Sequence, residues 1–295
     1  MNKRATSSSE ASDIAIAALS RCGVVLADAA RRLSERRGDP VDAVHELRVA
    51  IRRVRAVLRI CAASFDPDWL EATQWQLRDL ARVVGETRDL DVMLIRLEHL
   101  ADALPESDRA SVASLLSRLH VEREAGLRRA LDVLCDRTRV SAVDDLVTIA
   151  TEPRLAAGAD QVSIDDLVAA TRRQWRRLRK AARTAEDIPS EKNLHLVRVR
   201  AKALRYSLET LESILHPSAR AHARALGALQ DRLGEMQDAD VMEGRLRVVR
   251  ESGEVDAFVI GELVGFERAR KDWVRGTWQE AWERASRRRL RRWSR

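Results

Sequence analysis

The chain has 295 residues, a formal net charge of +7 and a pI near 10.0. Glycine and proline are sparse and only 4% of the residues are aromatic, so the composition favours helices and argues against a large β-sheet. No apolar run approaches the roughly 18 residues of a membrane span, and a basic chain suits nucleic acid, an anionic membrane surface or another polyanion.

The first segment, Met1-Asn2-Lys3-Arg4-Ala5-Thr6-Ser7-Ser8-Ser9, has charges with no apolar core behind them, unlike a secretory signal. The sequence therefore predicts a disordered lead over 1–12 and a cytoplasmic location. Apolar helical spacing over 13–36 predicts the first helix, which Gly38-Asp39-Pro40 ends.

The second predicted helix carries a row of cations. At 100° per residue an arc of roughly 80° contains His45, Arg48, Arg52, Arg55 and Arg59. A solvated helix face usually mixes signs, because like charges at i,i+4 repel by a few tenths of a kcal/mol. The row therefore indicates a ligand with many negative charges.

Two shorter helices are predicted next. One begins at Asp66-Pro67 and ends at Gly85, and the other begins at Asp89 and ends at Leu104-Pro105. Asp89 and Asp91 could be read as metal ligands, but an N-cap explains the pattern more simply. We therefore predict no metal site here.

A long helix over 106–135 completes a first bundle half, 13–135. The poorer pattern of 136–162 predicts a linker before a second half, 163–295. Within that second half a helix over 163–185 has further arginines in an arc of about 60°, namely Arg172, Arg176, Arg179 and Arg183. A solvated face explains this row as well as an anion site does.

The histidine row recurs 150 residues later. It contains His195, Arg198, Lys202 and Arg205, and it stops at Glu209 where the first row has Arg59. A second match aligns Gly85-x-x-Arg88-Asp89-x-Asp91 with Gly234-x-x-Gln237-Asp238-x-Asp240 at an offset of 149. Two motifs in the same order predict a duplicated helical unit, an all-α pair of bundles.

The remaining segments of the second half follow the same pattern. We predict a helix over 218–233 that ends at Gly234, another from Asp238 to Glu251, and a last one over 253–293. The chain ends in Arg287-Arg288-Arg289-Leu290-Arg291-Arg292-Trp293-Ser294-Arg295, and such an arginine-rich tail is expected to be solvated and mobile.

Motifs for catalysis and cofactors are missing from the sequence. It has no glycine-rich phosphate loop, no nucleophile elbow and no His-Glu-x-x-His, and its three cysteines form no Cys-x-x-Cys. We therefore predict no enzyme activity, no cofactor and no metal. A nucleic-acid binder and a histidine phosphotransfer module stay open as alternatives to a general polyanion binder.

The duplicated Val-His-Glu-Leu-Arg-x-x-x-Arg-Arg-x-Arg and Leu-His-x-x-Arg-x-Arg-x-Lys-x-Leu-Arg-Tyr, each followed by Gly-x-x-(Arg/Gln)-Asp-x-Asp-Val, resemble the CHAD domain, the conserved histidine α-helical domain. The likeness spans about 13–290. It implies two pseudo-symmetric helical bundles around a basic pore or groove. It also implies non-catalytic binding of inorganic polyphosphate at both rows and association with cytoplasmic polyphosphate granules.

Members of this family often carry an N-terminal triphosphatase-type domain. The chain shows neither room for one nor a Glu-x-Glu-x-Lys motif, so no triphosphatase activity is expected. The resemblance makes polyphosphate the expected partner. Nucleic acid is the less favoured partner, and no membrane is expected. The sequence makes no prediction of oligomeric state.

Overall fold

The computed structural model describes residues 3–135, 142–253 and 255–294. Over these ranges the chain is all-α, as predicted, and its one β contact is an isolated bridge between Phe65 and Leu155. The α-helices are α1 (Lys3–Ser34), α2 (Pro40–Ile60), α3 (Pro67–Ala103), α4 (Glu106–Cys135), α5 (Ala142–Thr151), α6 (Ile164–Asp187), α7 (Glu191–Thr210), α8 (Ser218–Ser252) and α9 (Ala257–Ala285). Short 3₁₀ turns cover Ala62–Ser64, Ala159–Gln161 and Arg288–Ser294.

The order of helices repeats along the chain. α1 to α4 pack in sequence on one another, and α6 to α9 do the same. Corresponding helices also meet across the halves, α1 with α6, α2 with α7, α3 with α8 and α4 with α9. This arrangement brings the two histidine helices, α2 and α7, into direct contact. The pseudo-two-fold axis and the pore stay predictions.

Local sequence explains where the site helices begin. The Asp39 carboxylate accepts a hydrogen bond from the Val41 amide (2.6 Å) ahead of Pro40, which suits the first turn. Ser163 and Asp166 form a reciprocal capping box at the start of α6. The Ser190 hydroxyl accepts from the Asn193 amide to cap α7.

Two separate cores hold the helices. The larger one joins α1, α2, α6 and α7 with the adjoining ends of α3, α4, α8 and α9, and includes fully buried Leu47, Leu178 and Trp278. The smaller one joins the far ends of α3 and α4 with those of α8 and α9. Beside it Glu267, only 1% exposed, accepts a bidentate pair of hydrogen bonds from Arg96 of the other half.

The predicted breaks at Gly85 and Gly234 are wrong, because α3 and α8 run through them as single helices of 37 and 35 residues. Asp89 and Asp238 consequently lie inside helices and are not N-caps. A glycine followed by acids resembles a helix end in sequence. In this structure the two glycines instead lie against arginine side chains of neighbouring helices, as described below.

The expected disordered lead differs from the structure, since α1 begins at Lys3 and, of residues 1–12, the first two lie outside the described part. Ala11 is fully buried, and the Ser12 hydroxyl donates to the Ala159 carbonyl oxygen (2.8 Å). The expected linker likewise contains α5 and the Ala159–Gln161 turn, while its residues 136–141 are outside the description. A Cβ at Gly23 would collide with Ala150, so α1 and α5 pack closely.

The arginine-rich C-terminal segment is anchored and not the mobile tail that its composition suggests. Trp293 is 3% exposed, and its indole N–H donates to Nδ1 of buried His222 (2.9 Å). Its backbone N–H donates to the Ser218 hydroxyl oxygen (3.2 Å). In the described ranges no helix is long and apolar enough to cross a bilayer.

Candidate anion-binding site

Five cations from the two histidine rows converge where α2 packs on α7. We call them the basic cluster: Arg48 and Arg52 from α2, and Arg198, Lys202 and Arg205 from α7. Burial, together with the cluster's four guanidiniums, lowers the pKa of Lys202 to about 8. The pKa of Arg52 is lowered by burial and by the same kind of neighbours. The fold therefore keeps these like charges together at an electrostatic cost.

Carboxylates compensate the basic cluster only at its edges. Arg48 lies 3.4 Å from Asp89, and Arg205 donates to Glu209 (2.8 Å). Within the described part of the chain, Arg52, Arg198 and Lys202 have no carboxylate within ion-pair distance. Asp238 is near enough for the charge of Arg198 to affect its pKa, which burial raises, but the centre of the cluster has no ion pair among the described residues.

A cleft of about 520 Å³ opens beside the basic cluster. We call it the basic cleft, and it is lined by α2, α6 and α7 through Arg52, Arg55, Arg59, Gln174, Arg177, Arg200, Lys202 and Tyr206, with Ala56, Val199 and Ala203. Burial lowers the pKa of Arg55, as do Arg59 and Arg78 beside it. A planar guanidinium binds pairs of oxygen atoms and keeps its charge, so the cleft suits phosphate groups.

The histidines sit on the same faces, at the N-terminal ends of the rows, and both are exposed. Partial burial of its ring lowers the pKa of His45, and the charges of Arg88 and Arg52 act in the same direction. The His195 ring Nδ1 lies 2.6 Å from Oε1 of Gln237. Gln237 follows Arg88 by 149 residues, so the two occupy equivalent positions in the repeats. His45 neighbours Arg88, and His195 neighbours Gln237.

Two glycines in the middle of α3 and α8 lie next to arginines of the basic cluster. A Cβ at Gly85 would lie 2.6 Å from Nη1 of Arg48, and a Cβ at Gly234 would lie 3.7 Å from Nε of Arg198. Only the first approach is closer than a side chain allows. Sequence alignment found both glycines, but their role in seating an arginine needs the contact between helices.

The predicted row on α6 does not line the basic cleft. Gln174 and Arg177 are the α6 residues that do, whereas Arg172, Arg176, Arg179 and Arg183 are exposed on another side of the helix. Arg179 instead neighbours Arg291 of the C-terminal segment.

Two further arginines near the cleft were not predicted. Arg78 lies seven residues before Gly85, hence on the same side of α3, a spacing that could have found it. Arg200 lines the cleft although it falls off the arc of the α7 row. An arc criterion alone misses such a residue.

The acids of the repeated motif pair with basic groups. Asp91 accepts from Nε of buried Arg123 (3.0 Å), and Asp240 lies 3.4 Å from Nζ of Lys271. These two contacts also connect equivalent helices, α3 with α4 and α8 with α9. In the ranges that the structure covers, no three His, Cys, Asp or Glu side chains are grouped as metal ligands.

The chain is thus an all-α domain with a cation-lined cleft where its two repeated helical units meet. The CHAD domain family matches residues 18–247, and the chain belongs to this family. It is 32% identical over 239 residues to the uncharacterised proteins MT2285 and Rv2226 of two Mycobacterium tuberculosis strains, which covers 77% of this chain and 45% of either relative. The chain thus spans about half the length of these curated relatives.

Two solved structures share the fold. PptA from Streptomyces chartreusis matches with a TM-score of 0.74 at 20% identity, over 92% of this chain and 99% of that one. The CHAD domain from the plant Ricinus communis matches with a TM-score of 0.72 at 21% identity, over 93% of this chain and 91% of that one. At these identities the likeness concerns the fold.

Proposed function

We propose that this chain binds inorganic polyphosphate in the basic cleft, without chemical turnover, and associates through it with cytoplasmic polyphosphate granules. The observation that carries the proposal is the convergence of Arg52 from one repeat with Arg198 and Lys202 from the other, where no carboxylate of the described residues lies within ion-pair distance of the three. Such a cluster costs folding free energy in the empty protein. A polyanion would offset that cost.

The chemistry of the cleft favours a phosphate chain over a chain of nucleotides. Polyphosphate has no bases, so its receptor needs rows of cations and no stacking platform, whereas single-strand binders usually stack bases on aromatic rings. Among the described residues that line the cleft, the one aromatic is Tyr206, which is 7% exposed. Its ring is therefore packed and cannot stack with a base.

Membership of the CHAD family supports the same ligand, because the family is related to polyphosphate-associated proteins. The predicted site residues on α2 and α7 lie on or beside the cleft, which agrees with the ligand but leaves their roles to experiment. We assign Arg52, Arg55, Arg59 and Lys202 to the cleft wall, and the two histidines to its approach.

Titration with long-chain polyphosphate at several salt concentrations tests the function. If six to eight cations are neutralised, log K falls with log salt at a slope of roughly −4 to −6, at about −0.7 per contact. A slope near zero would contradict electrostatic binding. Single-stranded DNA and RNA of equal total charge serve as competitors, and preference for either would favour the nucleic-acid alternative.

The histidine phosphotransfer alternative has its own readout. A phosphotransfer module would retain acid-labile labelled phosphate on His45 or His195 after incubation with a phosphodonor. The polyphosphate proposal expects no such retained label, since the neighbouring arginines supply no base to activate the ring.

A further inference from the structure

A second group of cations covers the outside of α6. The side that α6 buries contains Leu167, Trp175 and Leu178, so the opposite side faces solvent along the whole helix. That exposed side carries seven cations over twelve residues: Arg172, Arg173, Arg176, Arg177, Arg179, Lys180 and Arg183. With a rise of 1.5 Å per residue, the row from Arg172 to Arg183 is about 16 Å long.

This group is continuous with the basic cleft. Arg177 lines the cleft itself. At 100° per residue, Arg173 and Lys180 fall between Arg177 and Arg176, and the row of Arg179 and Arg183 follows further round the helix. A band of exposed cations therefore leads from the cleft round α6.

The C-terminal segment extends the band. Arg291 lies close to Arg179 and Arg288, and its guanidinium carbon lies 5.2 Å from the ring centroid of Trp175. Burial of Trp293 and its hydrogen bond to His222 fix the segment in place. Arg291 of this segment is thus held beside α6, while the segment as a whole packs on α8.

Little negative charge compensates this surface. In the described part of the chain, Arg176, Arg179, Arg183 and Arg288 have no carboxylate within ion-pair distance. By contrast, exposed arginines elsewhere do have one, such as Arg37 with Glu35. A fixed surface that carries cations with few carboxylates among them is suited to binding an extended polyanion.

We propose that the exposed α6 arginines and the C-terminal segment form a second anion surface, which holds the part of a long polyphosphate chain that extends beyond the basic cleft. The inference rests on the proposed polyphosphate binding and adds selection for chain length to it. A short oligophosphate fills the cleft alone, whereas a long chain continues over Arg177 onto α6 and then to Arg288. Affinity then rises with chain length through contacts outside the cleft.

The test compares two ligands, tripolyphosphate and long-chain polyphosphate, on a triple variant, Arg179→Gln/Arg183→Gln/Arg288→Gln. The matched control, Arg31→Gln/Arg154→Gln/Arg250→Gln, removes three exposed arginines that, in the described part of the chain, likewise have no carboxylate within ion-pair distance. Circular dichroism and thermal unfolding check that both variants fold as the parent chain does.

For long-chain polyphosphate we expect the surface variant to lose at least about 10-fold in affinity. We also expect its salt slope to become shallower by about 2, at about 0.7 for each of three lost contacts. Its affinity for tripolyphosphate stays within about 2-fold, and the control changes neither ligand by more than that, since surface charge away from the path contributes little.

Equal loss in the surface and control variants would overturn the second surface while leaving cleft binding intact, as would unchanged long-chain affinity. If the parent chain binds neither ligand, the proposed function and this inference both fail. The two failures are therefore distinguishable in one set of titrations.

Discussion

Arg48 of α2 lies across the backbone of α3 at Gly85, where a Cβ would stand 2.6 Å from the guanidinium Nη1. The glycine thus lets a cation of the basic cluster lie close against a helix while it pairs with Asp89 (3.4 Å). Glycine weakens an isolated helix, but here Gly85 leaves the space in which Arg48, a residue proposed to bind the ligand, lies.

Gly85→Ala and Gly234→Ala form a matched pair that tests this relationship. In Gly234→Ala the added Cβ makes ordinary contacts near Arg198 (3.7 Å), so its higher helix propensity raises the free energy of unfolding by about 0.5–1 kcal/mol. In Gly85→Ala the Arg48 side chain must move away, which offsets part of that gain and lowers polyphosphate affinity. Denaturant unfolding and polyphosphate titration of both variants measure the difference, and identical behaviour of the pair would contradict it.

The pH dependence of binding reports on Lys202. In the empty protein its pKa is about 8, because the ammonium is buried and lies among Arg52, Arg198, Arg48 and Arg205. A bound polyanion raises that pKa, so the complex holds more protons than the free protein above pH 8. Affinity is therefore greatest below pH 8 and falls by up to about 10-fold per pH unit above it. Internal phosphates stay ionised in this range and add little.

Lys202→Arg is the control for that titration. Arginine keeps the positive charge and does not titrate in proteins, so the variant should bind with a flat profile between pH 7 and 9. A variant that retains the parent's pH profile would assign the titration to another group.

The sequence predicted the helical class and the cation rows because both depend on local periodicity and on repetition at a fixed offset. The row on α2 and the row on α7 needed only the 100° rotation per residue to be recognised. Their convergence into one cluster is a long-range contact, which no spacing within a helix can specify. The repeat made it an expectation, and packing of α2 on α7 supplies it.

Other features could not be predicted because sequence context misleads. Gly85 and Gly234 precede acids and so resemble a helix end, although both lie inside long helices and Gly85 is required for the close approach of Arg48 from another helix. The arginine-rich tail imitates a disordered end, yet one buried residue, Trp293, fixes it. On α6 the predicted cation row lies away from the cleft, which Arg177 reaches instead.

The pair of Arg96 and Glu267 is expected to contribute strongly to stability, since it connects α3 of one half with α9 of the other and Glu267 is 1% exposed. Arg96→Ala leaves a buried carboxylate without its partner and should cost about 3–5 kcal/mol in denaturant unfolding. The exposed pair of Arg284 and Glu280 provides the comparison, where Arg284→Ala should cost at most about 0.5 kcal/mol. If Arg96→Ala lowers the free energy of unfolding no more than Arg284→Ala does, the buried pair does not contribute strongly to stability.

Acid should release the C-terminal segment through His222. Burial, with a smaller contribution from neighbouring Arg291, lowers the pKa of His222 to about 4, while the unfolded side chain titrates near 6.5. Stability conferred by neutral His222 is fully present above pH 6.5 and is lost as pH falls toward 4, up to about 3 kcal/mol at 1.36 kcal/mol per unit. Protonation also removes the Nδ1 acceptor of the Trp293 indole.

Tryptophan fluorescence and hydrogen exchange at 288–294, followed from pH 7 to 4, measure this release. His222→Asn keeps a hydrogen-bond acceptor without titrating and should flatten the profile in that window. If the variant and the parent chain lose the segment at the same pH, His222 does not control its anchoring.

The central claim is that cations from both repeats form one binding site at the expense of stability. Polyphosphate titration and thermal unfolding of Arg52→Gln and Lys202→Gln, with exposed Arg250→Gln as the control, test it most directly. Each cluster substitution should weaken long-chain binding by about 10-fold or more. Lys202→Gln should also stabilise the empty protein by about 1–2 kcal/mol after a discount for solvent screening, since it removes the buried charge and its repulsion from the arginines, which together lower the lysine pKa.

The predicted result is therefore lower affinity together with equal or higher stability for both cluster variants, and no change in either quantity for Arg250→Gln. If either cluster variant binds as tightly as the parent chain, or if both lose affinity only because they unfold, the two repeats do not form a shared polyphosphate site.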